Sequence, residues 1–164
     1  GGLDSDGRMA ALDMHLSGPQ MGREYKHVKF ENNADPLTIA SLINNKYQTA
    51  NQRLAHTVVG VPLPLSPWRS VSSSQNAFFL ESFIDELAHA ADKDPVAFRR
   101  EHLAGQKRHL AVLDKVAEMS KWGTPAADGI HRGVALDESY GSVTAQVADV
   151  SVQNGELKIH RVFI

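Results

Sequence analysis

Gln75-Asn76-Ala77-Phe78-Phe79-Leu80-Glu81-Ser82-Phe83-Ile84-Asp85-Glu86-Leu87-Ala88-His89-Ala90-Ala91 is the stretch on which the architecture turns. Leu80, Phe83, Ile84, Leu87, Ala88 and Ala91 recur at helical spacing, with Glu81, Ser82, Asp85, Glu86 and His89 largely between them. The pattern predicts an amphipathic helix over 75–91 with one face in the core. Asp94-Pro95 then supplies an N-cap and a first-turn proline for a second helix ending at Leu103, and Gly105 fits its stop. A third helix turns Leu110, Leu113, Val116 and Ala117 inward and closes at Trp122-Gly123.

Both flanks change period. Downstream, 133–136, 143–152 and 157–164 are rich in β-branched and apolar residues, and Asn154-Gly155 is a hairpin turn signal, so two or three antiparallel strands are expected. Upstream, the turn dipeptide Asp6-Gly7 introduces a strand over 8–16, whose preceding partner strand is read as lost. Residues 19–52 are polar and weakly periodic, except for Leu37, Ile39, Ala40, Leu42 and Ile43 behind Asp35-Pro36, read as a short helix. Residues 54–63 read as a strand running into an extended loop, because Pro62, Pro64 and Pro67 cannot donate to a central ladder. The expected fold is α+β, one domain or subdomain over 1–164. A strand and loop region (1–66), a helical region (67–123) and a strand region (124–164) place the helices on an antiparallel or mixed sheet built by the two strand groups. The chain opens on Gly1-Gly2 and stops inside Val162-Phe163-Ile164, so both ends read as cut from a longer protein.

Composition removes several functions. A length of 164 residues with 42% hydrophobic and 22% charged content supports a buried core rather than disorder. A net charge of -2 with both signs mixed gives no basic stripe for nucleic acid. The absence of cysteine excludes disulfides, iron–sulfur ligation and thiolate metal sites within the chain. No apolar run is long enough to insert in a membrane as a helix. No glycine-rich phosphate loop, zinc-protease helix, calcium loop or nucleophile elbow is present.

The eight histidines are scattered. His102 and His109 lie seven apart, but Gly105 falls between them and no carboxylate sits at ligand spacing, so both read as surface histidines and no metal site is expected. Ser70, Ser72, Ser73 and Ser74 lack flanking glycines and a nearby base, and read instead as satisfying backbone donors at the helix start. The informative segment is Pro67-Trp68-Arg69-Ser70-Val71-Ser72-Ser73-Ser74-Gln75-Asn76. There an extended loop delivers an aromatic, an arginine and hydroxyls to a helix N-terminus, where free N–H groups and the helix dipole favour an anion. The arginine adds fixed charge and a donor fork suited to phosphate or oxo groups. The same residues also fit a capped helix beside a surface arginine.

Pro67-Trp68-Arg69-Ser70-Val71, followed by Asn76-Ala77-Phe78, by 81–88 and by Asp94-Pro95-Val96-Ala97-Phe98-Arg99-Arg100, resembles the molybdenum-binding subunit of the isoquinoline 1-oxidoreductase type. That type belongs to the wider xanthine dehydrogenase and aldehyde oxidase family. Arg108-His109, Trp122-Gly123, Arg132-Gly133-Val134-Ala135, 143–148 and 159–162 extend the likeness in order. It is dense from about 61 to 164 and faint before that.

The resemblance implies a subunit that hydroxylates an N-heterocycle or aldehyde with water-derived oxygen, using a pterin-bound molybdenum, with or without the cytosine dinucleotide extension. Electrons would leave through a separate iron–sulfur subunit. Trp68, Arg69 and Ser70 take the positions of the family's cofactor-contacting loop, which approaches the metal centre through its backbone. Where the wider family has Gly and then Phe, this chain has Ser70 and Val71, and Val71 then removes one aromatic wall of the substrate pocket. The family's glutamate base lies in a glycine-rich segment outside this chain, and Glu81 and Glu86 read as scaffold or solvent-facing. The chain alone is therefore expected to hold no catalytic residue and no direct metal ligand, and to bind the cofactor weakly or not at all. The alternative is an independent α+β interaction module with 19–52 as its contact loop.

Overall fold

The computed structural model describes residues 1–25, 28–30 and 34–164. Strands β1 (Gly2–Leu3), β2 (Met9–Gly18) and β3 (Asn51–Val58) precede helices α1 (Ser73–Ala90), α2 (Pro95–His102) and α3 (Lys107–Ser120). Strands β4 (His131–Ser139), β5 (Ser142–Gln153) and β6 (Glu156–Phe163) follow. The expected α+β arrangement holds, with the helices between two strand groups that each form their own three-stranded sheet. The first sheet, β1-β2-β3, is mixed: β1 pairs antiparallel with β2, and β2 pairs parallel with β3. The second, β4-β5-β6, is antiparallel throughout.

Local chemistry explains most boundaries. The Asp4 carboxylate accepts from the Asp6 and Arg8 amides at 2.9 and 2.8 Å, and Gly7 takes φ +67°, which closes a tight turn between β1 and β2. The strand preceding that turn, read as lost from the sequence, is therefore present as the two residues of β1. Asp94 caps α2 by accepting from the Ala97 amide at 2.8 Å, with Pro95 at the first helical position. The α3 C-terminus turns through Lys121 in the left-handed region, and the Trp122 amide returns to the Ala117 carbonyl at 2.8 Å. Asn154 and Gly155, both at positive φ, make the expected two-residue hairpin.

The short helix expected over 36–43 does not form; the segment is a run of turns. Thr38 and Ile39 amides bond to the Asp35 carbonyl, but Ser41 at φ +66° breaks the helical path before a second turn is complete. Residues 26, 27 and 31–33, part of the polar stretch 19–52, lie outside the described residues.

One core joins all of these elements. Met9 and Leu12 from β2 meet Leu80, Ile84 and Leu87 from α1, Val96 and Phe98 from α2, Leu113 and Val116 from α3, and Val134, Leu136 and Val147 from the second sheet. On the flank of that sheet, Asp149 is almost fully buried and receives Arg132 at 2.6 Å and Arg161 at 2.7 Å. Hydrogen bonds from Arg132 hold the Asp149 carboxyl below the usual carboxylate range, assisted by those from Arg161. A carboxyl lowered in the folded state contributes stability that is complete above its unfolded value, about 3.9, and lost as pH falls through the folded value. Asp149→Asn is therefore expected to cost about 1 kcal/mol at pH 7, limited by the solvent around Arg161. Urea titrations should show the difference shrinking below about pH 4; a constant difference down to pH 2 contradicts this.

Candidate functional site

The segment 59–67 leaves β3 as exposed chain and ends in two tight turns before α1. The Val71 amide donates to the Trp68 carbonyl at 2.8 Å, and the Ser73 amide to the Ser70 carbonyl at 3.0 Å. Ser70 and Val71 have φ of 67° and 54°. Two consecutive left-handed residues without glycine, one of them β-branched, cost on the order of 1–3 kcal/mol each and persist where surrounding structure holds them.

That hold is visible at the base of the loop. Ser72, Ser73 and Asn76 are buried. The Ser139 hydroxyl of β4 donates to Ser73 Oγ at 3.0 Å, and Asn76 Nδ2 donates to the Thr38 and Ala40 carbonyls, both at 2.9 Å. The tip is the opposite. Trp68 is 85% exposed, and the Arg69 side chain is exposed with no hydrogen-bond or ion-pair partner among the described residues, while its carbonyl accepts from the Ser70 hydroxyl at 2.5 Å. A rigid base thus presents an unpaired guanidinium and an aromatic ring beside the start of an 18-residue helix. This donor set suits an anionic or oxo-bearing group, because the guanidinium has its full fork available; the Trp68, Arg69 and Ser70 carbonyls and the Val71 amide are engaged within the turns themselves.

The structure brings Trp68, Arg69, Ser70 and Val71 together on one loop but does not enclose them. A groove of about 550 Å³ runs between α1 and β4, lined among others by Ser74, Phe78, Ser82, Ala135 and Gln146. Another of about 600 Å³ runs between β2 and α1, past Met14, Leu42, Phe79 and Phe83. Neither is lined by residues 68–71. The loop can hold one edge of a ligand whose other edges need further chain.

Several sequence expectations change here. The serines do not cap α1: Ser72 occupies the N-cap without a side-chain hydrogen bond, and its buried Oγ has no partner among the described residues. His102 and His109 are buried, not surface residues. His102 Nε2 accepts from the Met9 amide at 2.8 Å and Nδ1 lies 2.8 Å from the Phe98 carbonyl, so the ring ties β2 to α2. His109 Nε2 lies 3.1 Å from Glu138 Oε2 but off the line a hydrogen bond needs, which leaves this buried nitrogen unpartnered among the described residues. No cluster of three or more metal-ligating side chains occurs among the described residues.

Glu81 is scaffold, as expected, and Glu86 is exposed. Glu81 Oε2 accepts from Arg99 Nε at 3.0 Å and from the Leu136 amide at 2.8 Å, and Oε1 accepts from the Tyr47 hydroxyl at 2.7 Å. Burial pushes the Glu81 carboxyl up, against the pull of Arg99 and of these hydrogen bonds. Burial likewise pushes the Tyr47 hydroxyl well up, and Glu81 adds to it. Arg99 stays cationic because Glu81, Tyr47 and Asp85 outweigh its own burial.

A family model described as a molybdopterin cofactor-binding domain matches residues 1–103. The chain is 30% identical over 188 aligned residues to one of the subunits of nicotinate dehydrogenase from Pseudomonas putida, an alignment covering all of this chain and 16% of that protein. It is 35% identical over 100 residues to the beta chain of isoquinoline 1-oxidoreductase from Brevundimonas diminuta, covering 58% of this chain and 13% of that one. A membrane-bound aldehyde dehydrogenase of Gluconacetobacter polyoxogenes, named for pyrroloquinoline quinone, is 30% identical over 122 residues, covering 53% of this chain and 16% of its own. The chain thus spans less than a fifth of the length of each of these relatives. No described helix is long and apolar enough to cross a membrane.

Proposed function

Because the chain belongs to the molybdopterin cofactor-binding domain family of the xanthine dehydrogenase type, we propose that it forms one part of a molybdenum-cofactor subunit that hydroxylates N-heterocycles or aldehydes. One observation supports the reading: the loop that resembles the family's cofactor-contacting segment in sequence projects an unpaired Arg69 side chain and an exposed Trp68 from a left-handed turn whose base is buried. In this reading Trp68, Arg69 and Ser70 hold one edge of a molybdenum–pterin, with or without a cytosine dinucleotide. When bound, that group supplies two-electron oxidation, with the oxygen coming from water. This chain's share is positioning and electrostatics. Arg69 offsets anionic charge, and the Ser70–Val71 backbone sets how closely the chain approaches. The base and the remaining cofactor contacts belong to chain beyond these residues, so the isolated chain is inactive. Electrons pass to an iron–sulfur partner subunit; these 164 residues, without cysteine, offer a cluster no thiolate ligand.

Turnover of an N-heterocycle by the complete subunit in ¹⁸O-labelled water tests the reading. Label in the hydroxyl group of the product is expected, and label drawn only from molecular oxygen contradicts it. The side chain at position 71 should set selectivity. Val71→Phe in the complete subunit is expected to disfavour the bulkier of two N-heterocycles by about tenfold in kcat/KM, the scale of steric discrimination in an apolar pocket. Unchanged relative kcat/KM values remove Val71 from the pocket.

A further inference from the structure

One part of the second sheet is written for burial on both faces, although Thr144 and Gln146 of β5 and His131 of β4 keep the rest of its outer face polar. Along β5, Ala145, Val147, Asp149 and Ser151 are buried against the helices and the arginine cluster. The alternate positions, Ala148, Val150 and Val152, lie on the opposite face. The β5–β6 register sets Val152 opposite Leu157, Val150 opposite Ile159 and Ala148 opposite Val162. Ala135 and Gly133 of β4 continue the same face, opposite Gln146 and Ala148. A solvated face of an antiparallel sheet alternates to polar residues. Here Val152, Leu157, Ile159 and Val162 are instead 62, 65, 61 and 48% exposed.

The charged residues of β6 avoid this face. Lys158 sits opposite Ser151 and Arg161 opposite Asp149, so the Leu157, Ile159 and Val162 positions carry no charge. Lys158 stands exposed on this edge strand, and an exposed lysine there disfavours extension by another strand. The apolar face, rather than the edge, is then the element suited to docking.

We propose that this face is the seat of a further layer contributed by the same polypeptide, within the larger molybdenum-cofactor subunit; the inference rests on that reading. The occupant is argued from length: the chain corresponds to 16% and 13% of two relatives it matches, so most of such a subunit lies elsewhere. An apolar sheet face with helices already on its other side takes a third layer.

Val152→Cys and Ile159→Cys in the complete subunit test this, with maleimide labelling followed peptide by peptide in a mass spectrometer. Both substitutions preserve apolar character and leave the inner face untouched. Labelling is expected to be about tenfold slower or more than in the same subunit unfolded in urea, as for a site that opens only by local unfolding. Labelling as fast as in the unfolded subunit overturns the proposal. Protection that rises with protein concentration overturns it too, because a second copy then covers the face. Rapid labelling in a subunit that contains molybdenum ends only this inference, whereas a coding sequence no longer than this chain ends the larger-subunit reading itself.

Discussion

Glu81→Ala is expected to lower the melting temperature by about 6–20 °C, a larger loss of stability than Asp149→Asn produces. Glu81 is the centre of a buried cluster that joins four parts of the fold. It meets Arg99 of α2, Tyr47 of the turn segment and the Leu136 amide of β4 from its own place on α1. Removing its carboxylate leaves the Arg99 guanidinium, fully shielded from solvent, with Asp85 as its one remaining acidic partner among the described residues and its bonds to the Pro95 and Glu81 carbonyls. It also strands a buried hydroxyl and a buried amide. Breaking a buried pair from one side costs about 3–5 kcal/mol, and at this chain length each kcal/mol shifts the melting temperature by about 2–4 °C. Glu81→Gln retains acceptors for Tyr47 and Leu136 and should cost less. Differential scanning calorimetry of both variants decides the matter, and an Ala variant melting within 2 °C of wild type, the lower end of about 1 kcal/mol, contradicts the account.

Arg69→Ala should behave in the opposite way. Its side chain is exposed and has no partner among the described residues, so stability should change by no more than about 0.5 kcal/mol. In the complete subunit the same change removes a charge-assisted contact worth about 1.5–3 kcal/mol. Turnover is then expected to fall about 10- to 100-fold. Arg69→Lys should recover only part of the loss, because an ammonium lacks the planar fork. Steady-state kinetics beside a thermal melt separates the two effects. Unchanged turnover in Arg69→Ala removes the side chain from the site and leaves only its backbone there.

The contrast between these residues follows what the sequence can express. The helices were legible because Leu80, Ile84, Leu87, Val96, Leu113 and Val116 repeat with the period of the faces they bury. The Asn154-Gly155 hairpin was legible because its residues fit its turn type. Ser41 was not: nothing in a serine announces φ +66°, so the apolar spacing of 37–43 read as a helix that its backbone interrupts. His102 and His109 were misjudged for a tertiary reason, since their burial depends on Met9 and Glu138, far away in sequence. The parallel pairing of β2 with β3 and the separation into two sheets also depend on long-range contacts that local pattern does not carry.

At the candidate site, physical chemistry reached a loop suited to an anion and stopped there, with a capped helix fitting the same residues. The order of motifs from Trp68 to Arg161 supplied the chemistry. The left-handed conformation of Ser70 and Val71 was hidden because glycine, the residue that advertises positive φ, is absent from both positions. Two bulkier residues kept in that conformation are what structure adds to the case for the loop.

The most direct test of the central claim is metal and pterin analysis of the complete subunit that contains this chain, purified from a host that makes the molybdenum cofactor. The account predicts equimolar molybdenum and pterin in the wild type, with a reduced content in Arg69→Ala and cofactor-free forms of equal thermal stability. A folded complete subunit that carries neither molybdenum nor pterin would contradict it.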